Sequence, residues 1–197
     1  MKKIALFGTS ADPPTAGHQS ILRWLAIHYD LVVVWASDNP FKQHQTPLNR
    51  RSEMLRLVIE EIDVPQDNIS LRQQLSDRYT LNTVNKAREI WQDNTEFTLV
   101  IGADILPQIT SWYRIEELLA KVKILIIPRS GYDLDRADLK SLEAIGGQYT
   151  IASLDVPQVS SSAYRSQGDN RVITPAVENY ISQQRLYAAR TKAGEKV

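Results

Sequence analysis

The 197-residue chain contains no cysteine. Disulfides, zinc–thiolate sites, iron–sulfur clusters and thiol nucleophiles are thereby excluded. The absence also fits a cytoplasmic protein. Three histidines, His18, His28 and His44, are too few and too dispersed for a histidine-rich metal site. Neither charge sign is in excess: 23 Lys and Arg offset 23 Asp and Glu. No surface-wide attraction for nucleic acid or anionic membrane is therefore expected. Long apolar runs are missing too. The first covers residues 4–7, too short for the apolar stretch of an export signal. The next, Leu31–Ala36, falls far short of the roughly 20 residues a spanning helix needs. The loop after the first apolar run has neither GxGxxG nor GxxxxGK[ST], so the dinucleotide fingerprint and the Walker loop are both missing there.

What is present suffices for a packed core: 43% of residues are hydrophobic and 23% charged. Short β-prone runs alternate with helical patterns. Strands are expected at 3–7, 31–36, 69–71, 97–101, 124–127 and, more weakly, 149–153. Between them, apolar residues recur at three- and four-residue spacing. Ile21, Leu22, Leu25 and Ala26 mark a helix over 17–29. Met54, Leu55, Val58 and Ile62 mark one over 49–62. Leu81, Val84, Ala87 and Trp91 mark one over 81–91, and a shorter turn is expected at 115–120. Near the C-terminus, Thr174-Pro175 reads as a threonine N-cap followed by proline at the first helical position.

Strands separated by helices predict an α/β, Rossmann-like, doubly wound fold: a mainly parallel sheet with helices on both faces. No repeat or composition shift divides the chain, so a single domain over 1–190 is expected, with a polar tail at 191–197. Such sheets bind ligands beyond the carboxyl ends of their strands, where strand order reverses. The segments to interrogate are therefore 8–18, 37–42, 102–112 and 129–132.

The first of these reads GTSADPPTAGH, from Gly8 to His18. It places Thr15-Ala16-Gly17-His18 at a helix N-terminus, where free amide groups favour an anion. Gly17 lets a phosphate approach the backbone, and Thr15 and His18 can donate to it. A second anion site is expected at Ser160-Ser161-Ser162, three hydroxyls before another helix start, with Arg165 about one turn on.

Within the first of these segments, the ten residues from Thr9 to His18, TSADPPTAGH, resemble without a gap the GTFDPPHxGH form of the (H/T)xGH motif in the nucleotidyltransferase superfamily. The likeness extends from Lys3 to Arg190. Val159-Ser160-Ser161-Ser162-Ala163-Tyr164-Arg165 is similar to the ISSTxIR signature, and Arg78-Tyr79-Thr80-Leu81-Asn82-Thr83 to SYTxDT. Ile101-Gly102-Ala103-Asp104 with Trp112-Tyr113 resembles IGAD…WY, and Pro128-Arg129-Ser130-Gly131-Tyr132 resembles PRxGY. Residues 37–42 with Arg51 and Met54-Leu55 resemble PxxxPPHK…RxxML. Together they resemble the bacterial nicotinate mononucleotide adenylyltransferases. Thr15 for the first histidine, Thr9 for glycine and Ala11 for an aromatic residue depart from that pattern.

The resemblance implies transfer of the adenylyl group of ATP to nicotinate mononucleotide, with release of pyrophosphate, by in-line attack without a covalent intermediate. It implies His18 and Thr15 as catalytic residues. It implies that Gly8, Thr9, Gly17, Ser160, Ser161, Ser162, Arg165 and Arg129 bind ATP or its phosphates. Lys42, Thr80, Asp104, Trp112 and Tyr113 would bind the mononucleotide, Trp112 by stacking on the pyridine ring. Mg²⁺ would arrive with ATP, with no protein-held metal site. The partners are then two small molecules, and the question of a homo-oligomer stays open. The alternatives are an adenylyltransferase that prefers nicotinamide mononucleotide or takes both mononucleotides, the superfamily's pantetheine-phosphate adenylyltransferase, and a non-catalytic nucleotide-binding protein of the same fold.

Overall fold

A computed structural model describes residues 1–38, 46–65, 67–92, 94–129, 131, 133–157 and 159–187. The strands are β1 (Lys2–Thr9), β2 (Leu31–Ala36), β3 (Ile69–Leu71), β4 (Thr95–Gly102), β5 (Lys123–Ile127) and β6 (Tyr149–Ile151). The helices are α1 (Ala16–His28), α2 (Leu48–Glu60), α3 (Thr80–Ile90), α4 (Leu106–Ile109), α5 (Ile115–Leu119), α6 (Arg136–Ala144), α7 (Ser161–Gln167) and α8 (Pro175–Gln184). All strand pairs are parallel, in the order β3-β2-β1-β4-β5-β6. That is the α/β, Rossmann-like, doubly wound fold expected.

Side-chain alternation along the strands builds two cores. Ile4 and Leu6 point to one face of the sheet, Ala5 and Phe7 to the other. The first face is covered by Leu81, Val84 and Ala87 of α3, Leu118 and Leu119 of α5 and Leu142 of α6. The second is covered by Leu22 and Leu25 of α1, Met54, Leu55 and Val58 of α2, and Val177 and Ile181 of α8. β2, buried on both faces, accordingly reads as an unbroken apolar run.

Three local expectations change. The helix expected to reach residue 62 ends at Glu60, with Glu61 as its C-cap. Thr174 does stand at the N-cap of α8, but its hydroxyl is buried without a partner, and Glu61 accepts from the Ala176 N–H instead, at 3.3 Å. Helix α6 is an addition to the expected elements; it buries Leu142, with Leu139 and Ile145 partly buried against the same core. The 191–197 tail lies outside the described residues.

Strand order reverses between β1 and β4. The crevice beyond their carboxyl ends is framed by the β1–α1 loop and the segment after β4, with the ends of β2 and β5 alongside.

Candidate active site

His18 occupies the first turn of α1, facing the end of β1. The Thr15 backbone N–H donates to its Nδ1 at 3.0 Å, and the Thr15 hydroxyl lies 2.9 Å from the same atom. On the other side of the ring, Nε2 lies 2.9 Å from the Thr9 hydroxyl. Thr15 itself is buried behind the ring. Its hydroxyl therefore acts on His18 in this state, where the sequence suggested a donor aimed at phosphate.

The loop between β1 and α1 is held by residues from three distant parts of the chain. Arg51 of α2, only 2% exposed, donates from Nη1 to the carbonyls of Ser10 at 2.8 Å and Ser37 at 2.7 Å. Its Nε donates to the Thr46 carbonyl at 2.8 Å. Burial pulls the Arg51 pKa below its ordinary value, and the charges of Asp12 and Asp38 pull it back. Asp12, 3% exposed, accepts from the Thr46 N–H and, at 2.6 Å, from the Tyr187 hydroxyl. Burial, then the bond to Asp12, raises the Tyr187 pKa, so the phenol remains a donor. Tyr187 also meets the Tyr164 ring edge-on, with centroids 5.7 Å apart.

Helix α7 docks on the same loop. Ser160 is its N-cap, accepting from the Ala163 N–H at 3.0 Å. The Ser161 hydroxyl donates to the Pro13 carbonyl at 2.7 Å. Arg165 donates to the Asp12 carbonyl and, at 3.2 Å, to the Ser162 hydroxyl. The structure thus brings both segments that the sequence suggests as anion sites together at one end of the sheet.

The two glycines of the loop have packing reasons. A Cβ on Gly8 would lie 2.7 Å from the Trp35 ring, and one on Gly17 would press on Val156 and Val159 at 3.3–3.4 Å. Gly17 therefore makes room for the segment leading into α7, where the sequence suggested room for phosphate.

Across the crevice, Asp104 follows β4 and forms an ion pair with Arg129, at 2.9 Å, beyond the end of β5. Thr80 is the first residue of α3. Its approach is fixed by Asp77, which accepts from the Tyr79 N–H at 3.1 Å, Asn82 at 3.0 Å and Lys86 at 2.9 Å. The Lys86 bond, foremost, holds the Asp77 carboxyl below its usual pKa. Tyr79 and Tyr113 are 38% and 48% exposed, and their rings meet at a tilt of 32° with centroids 4.4 Å apart, linking the start of α3 to the loop before α5. Trp112 beside them is partly buried against the α3 core. Lys42 and His44 lie outside the described residues.

Asp12, Asp77 and Tyr187 were not singled out by the sequence reading. Asp77 carried a readable signal, an acidic residue just before a helical apolar pattern. Asp12 and Tyr187 carried none, because their contact spans 175 positions.

The fold is that of a doubly wound, parallel α/β protein with a crevice at the end of its first strand. The cytidylyltransferase-like family model matches residues 6–167. The chain is 43% identical to a probable nicotinate-nucleotide adenylyltransferase of Synechocystis sp., over 94% of its own length and 98% of the relative's. It is 28% identical to the nicotinate-nucleotide adenylyltransferase of Bacillus subtilis, over 95% and 99%. The chain belongs to the cytidylyltransferase-like family and, within it, to the nicotinate-nucleotide adenylyltransferases. A Plasmodium falciparum nicotinic acid mononucleotide adenylyltransferase solved with NaAD shares the fold: TM-score 0.80, 22% identity, 95% and 98% coverage. Among the described residues, no helix is long and apolar enough to cross a membrane.

Proposed function

We propose that the chain transfers the adenylyl group of ATP to nicotinate mononucleotide, making nicotinate adenine dinucleotide and pyrophosphate. The observation that carries this reading, beside family membership, is His18 held at both ring nitrogens at the sheet's switch point. A phosphate oxygen of the mononucleotide attacks the α-phosphorus of ATP, and the bond to the pyrophosphate oxygen breaks in line. Catalysis is then positioning plus charge stabilisation, with no protein nucleophile needed.

In this reading His18 donates from Nε2 to the phosphates beside the N-terminal amides of α1. Arg165 and Ser162 serve the triphosphate from α7, with Arg129 at the adenine side. Ser160 and Ser161, spent on cap and loop, act by fixing that helix. Trp112 stacks on the pyridine ring. Backbone N–H groups at Thr80 and Tyr113 receive its carboxylate, Asp104 accepts from ribose hydroxyls, and Lys42 meets the mononucleotide phosphate. Mg²⁺ comes as part of the ATP substrate, held by phosphates and water, and neutralises charge there. Both substrates are charged metabolites of the cell interior, which suits a cytoplasmic enzyme.

The test is pyrophosphate release with ATP and each mononucleotide in turn. His18→Ala should cut turnover about 10²-fold or more, since one donor at a transferring group is worth about 3–4 kcal/mol. A folded His18→Ala variant with native turnover removes His18 from the mechanism.

A further inference from the structure

Thr9 is the last residue of β1, and its backbone is fixed on a rigid element. It pairs with Ala36 of β2, and its carbonyl accepts from the Ser37 N–H at 2.7 Å. The side chain starting from this fixed point places its hydroxyl 2.9 Å from His18 Nε2. The opposite nitrogen, Nδ1, faces the Thr15 backbone N–H at 3.0 Å, a group that can only donate. Nδ1 therefore presents its lone pair. The proton of the neutral ring sits on Nε2 and is donated to Thr9 Oγ1, which keeps its own hydroxyl proton to give elsewhere.

We propose that Thr9 is a positioning residue for adenylyl transfer: its hydroxyl holds the His18 Nε2–H aimed along the end of β1 until a phosphate oxygen takes that proton's hydrogen bond. This rests on the adenylyltransferase reading above. An imidazole held at both nitrogens has no rotamer search left when substrate arrives. The exchange runs in the productive direction, because a neutral acceptor is replaced by an anionic one, which makes the stronger bond. Thr9 thus acts through His18 and is felt when charge develops, more than in holding the mononucleotide.

Two variants and one spectrum test this. Thr9→Val keeps the shape and removes the hydroxyl. It should lower kcat about five- to tenfold, the usual worth of one hydrogen bond, while the KM for the mononucleotide moves less than about twofold. Thr9→Ser restores the hydroxyl and should recover kcat to within about twofold of native. In the unliganded protein at alkaline pH, ¹⁵N spectra of the His18 ring should show the proton on Nε2, exchanging faster in Thr9→Val than in the native chain. Native kcat in Thr9→Val overturns the proposal. So does a folded Thr9→Ser variant as slow as Thr9→Val, or a native ring protonated on Nδ1. If the native protein releases no pyrophosphate, the enzymatic reading fails instead. The ring spectra still decide whether Thr9 holds His18.

Discussion

The hydroxyl of Ser161 donates to the carbonyl of Pro13 at 2.7 Å, across 148 positions of sequence. This bond ties the helix α7 to the loop that presents His18. With Arg165 on the Asp12 carbonyl, it makes the β1–α1 loop and α7 into one structural unit. Substitutions in α7 are therefore expected to be felt at His18 as well as at ATP.

Thr15→Val is the mildest probe of the His18 support. It keeps the buried volume and the backbone N–H that meets Nδ1, and removes only the hydroxyl 2.9 Å from the ring. Turnover should fall about two- to fivefold, well short of the loss in His18→Ala. Steady-state kinetics on both variants gives the comparison. Equal losses would mean that Thr15 contacts the phosphates directly.

Arg51→Met should destabilise the fold by about 3 kcal/mol or more. The substitution keeps much of the apolar stem but strands the carbonyls of Ser10, Ser37 and Thr46. Urea denaturation measures the loss. A change under about 1 kcal/mol would show that water or rearrangement satisfies those carbonyls.

Gly8→Ala forces a methyl group to within 2.7 Å of the buried Trp35 ring. Overpacking of this kind costs about 1–3 kcal/mol. The midpoint of thermal unfolding should drop, and a second substitution, Trp35→Phe, should recover part of it by making room. Failure of the pair to compensate would locate the strain elsewhere.

Substrate choice follows from the loops joined by Tyr79 and Tyr113. Backbone N–H groups there suit a carboxylate, whereas an amide NH₂ turns donors toward donors, at a cost of about 1–3 kcal/mol. Nicotinate mononucleotide should be used at least about tenfold more efficiently than nicotinamide mononucleotide. Trp112→Ala should slow both alike, since stacking does not tell acid from amide. Comparison of kcat/KM for the two substrates checks this; equal or reversed values refute acid selection.

Asp77 gives the approach to Thr80 an acid-sensitive element. Its carboxyl titrates below the ordinary 3.8, chiefly through the bond from Lys86. The stability it contributes is complete above the unfolded-state pKa and is lost as pH falls through the folded-state value. The stability gap between native and Asp77→Asn proteins should therefore shrink in acid. Denaturation midpoints at pH 7 and at pH 3 would show it, and a gap that widens at pH 3 contradicts the assignment.

The sheet was legible where a strand is an unbroken apolar run, as at Leu31–Ala36, and the short Ile69–Leu71, with Ser70 at its centre, also falls where the residues suggest. Helix α6 was not, although Leu139, Leu142 and Ile145 fall at three-residue spacing; the strip is narrow, and only Leu142 is fully buried. At the site, Thr15-Ala16-Gly17-His18 and Ser160-Ser161-Ser162 were readable as anion-binding types. What they bond to was not. An arginine such as Arg51 is expected at the surface on composition grounds, and only tertiary packing turns it inward onto three carbonyls. The Tyr187–Asp12 contact likewise exists only once the chain has folded back on itself.

The dependence of the β1–α1 loop on Ser161, Arg165 and Tyr187 sets an order of events during synthesis. A nascent chain that has emerged as far as Ile151 has every strand of the sheet but neither α7 nor α8. Its β1–α1 loop hangs from one side only, by Thr46 and Arg51, while the clasp from the other side is still within the ribosome. Catalytic competence therefore arrives late, after the sheet is in place, and partial translation products can assemble strands without acquiring a working site.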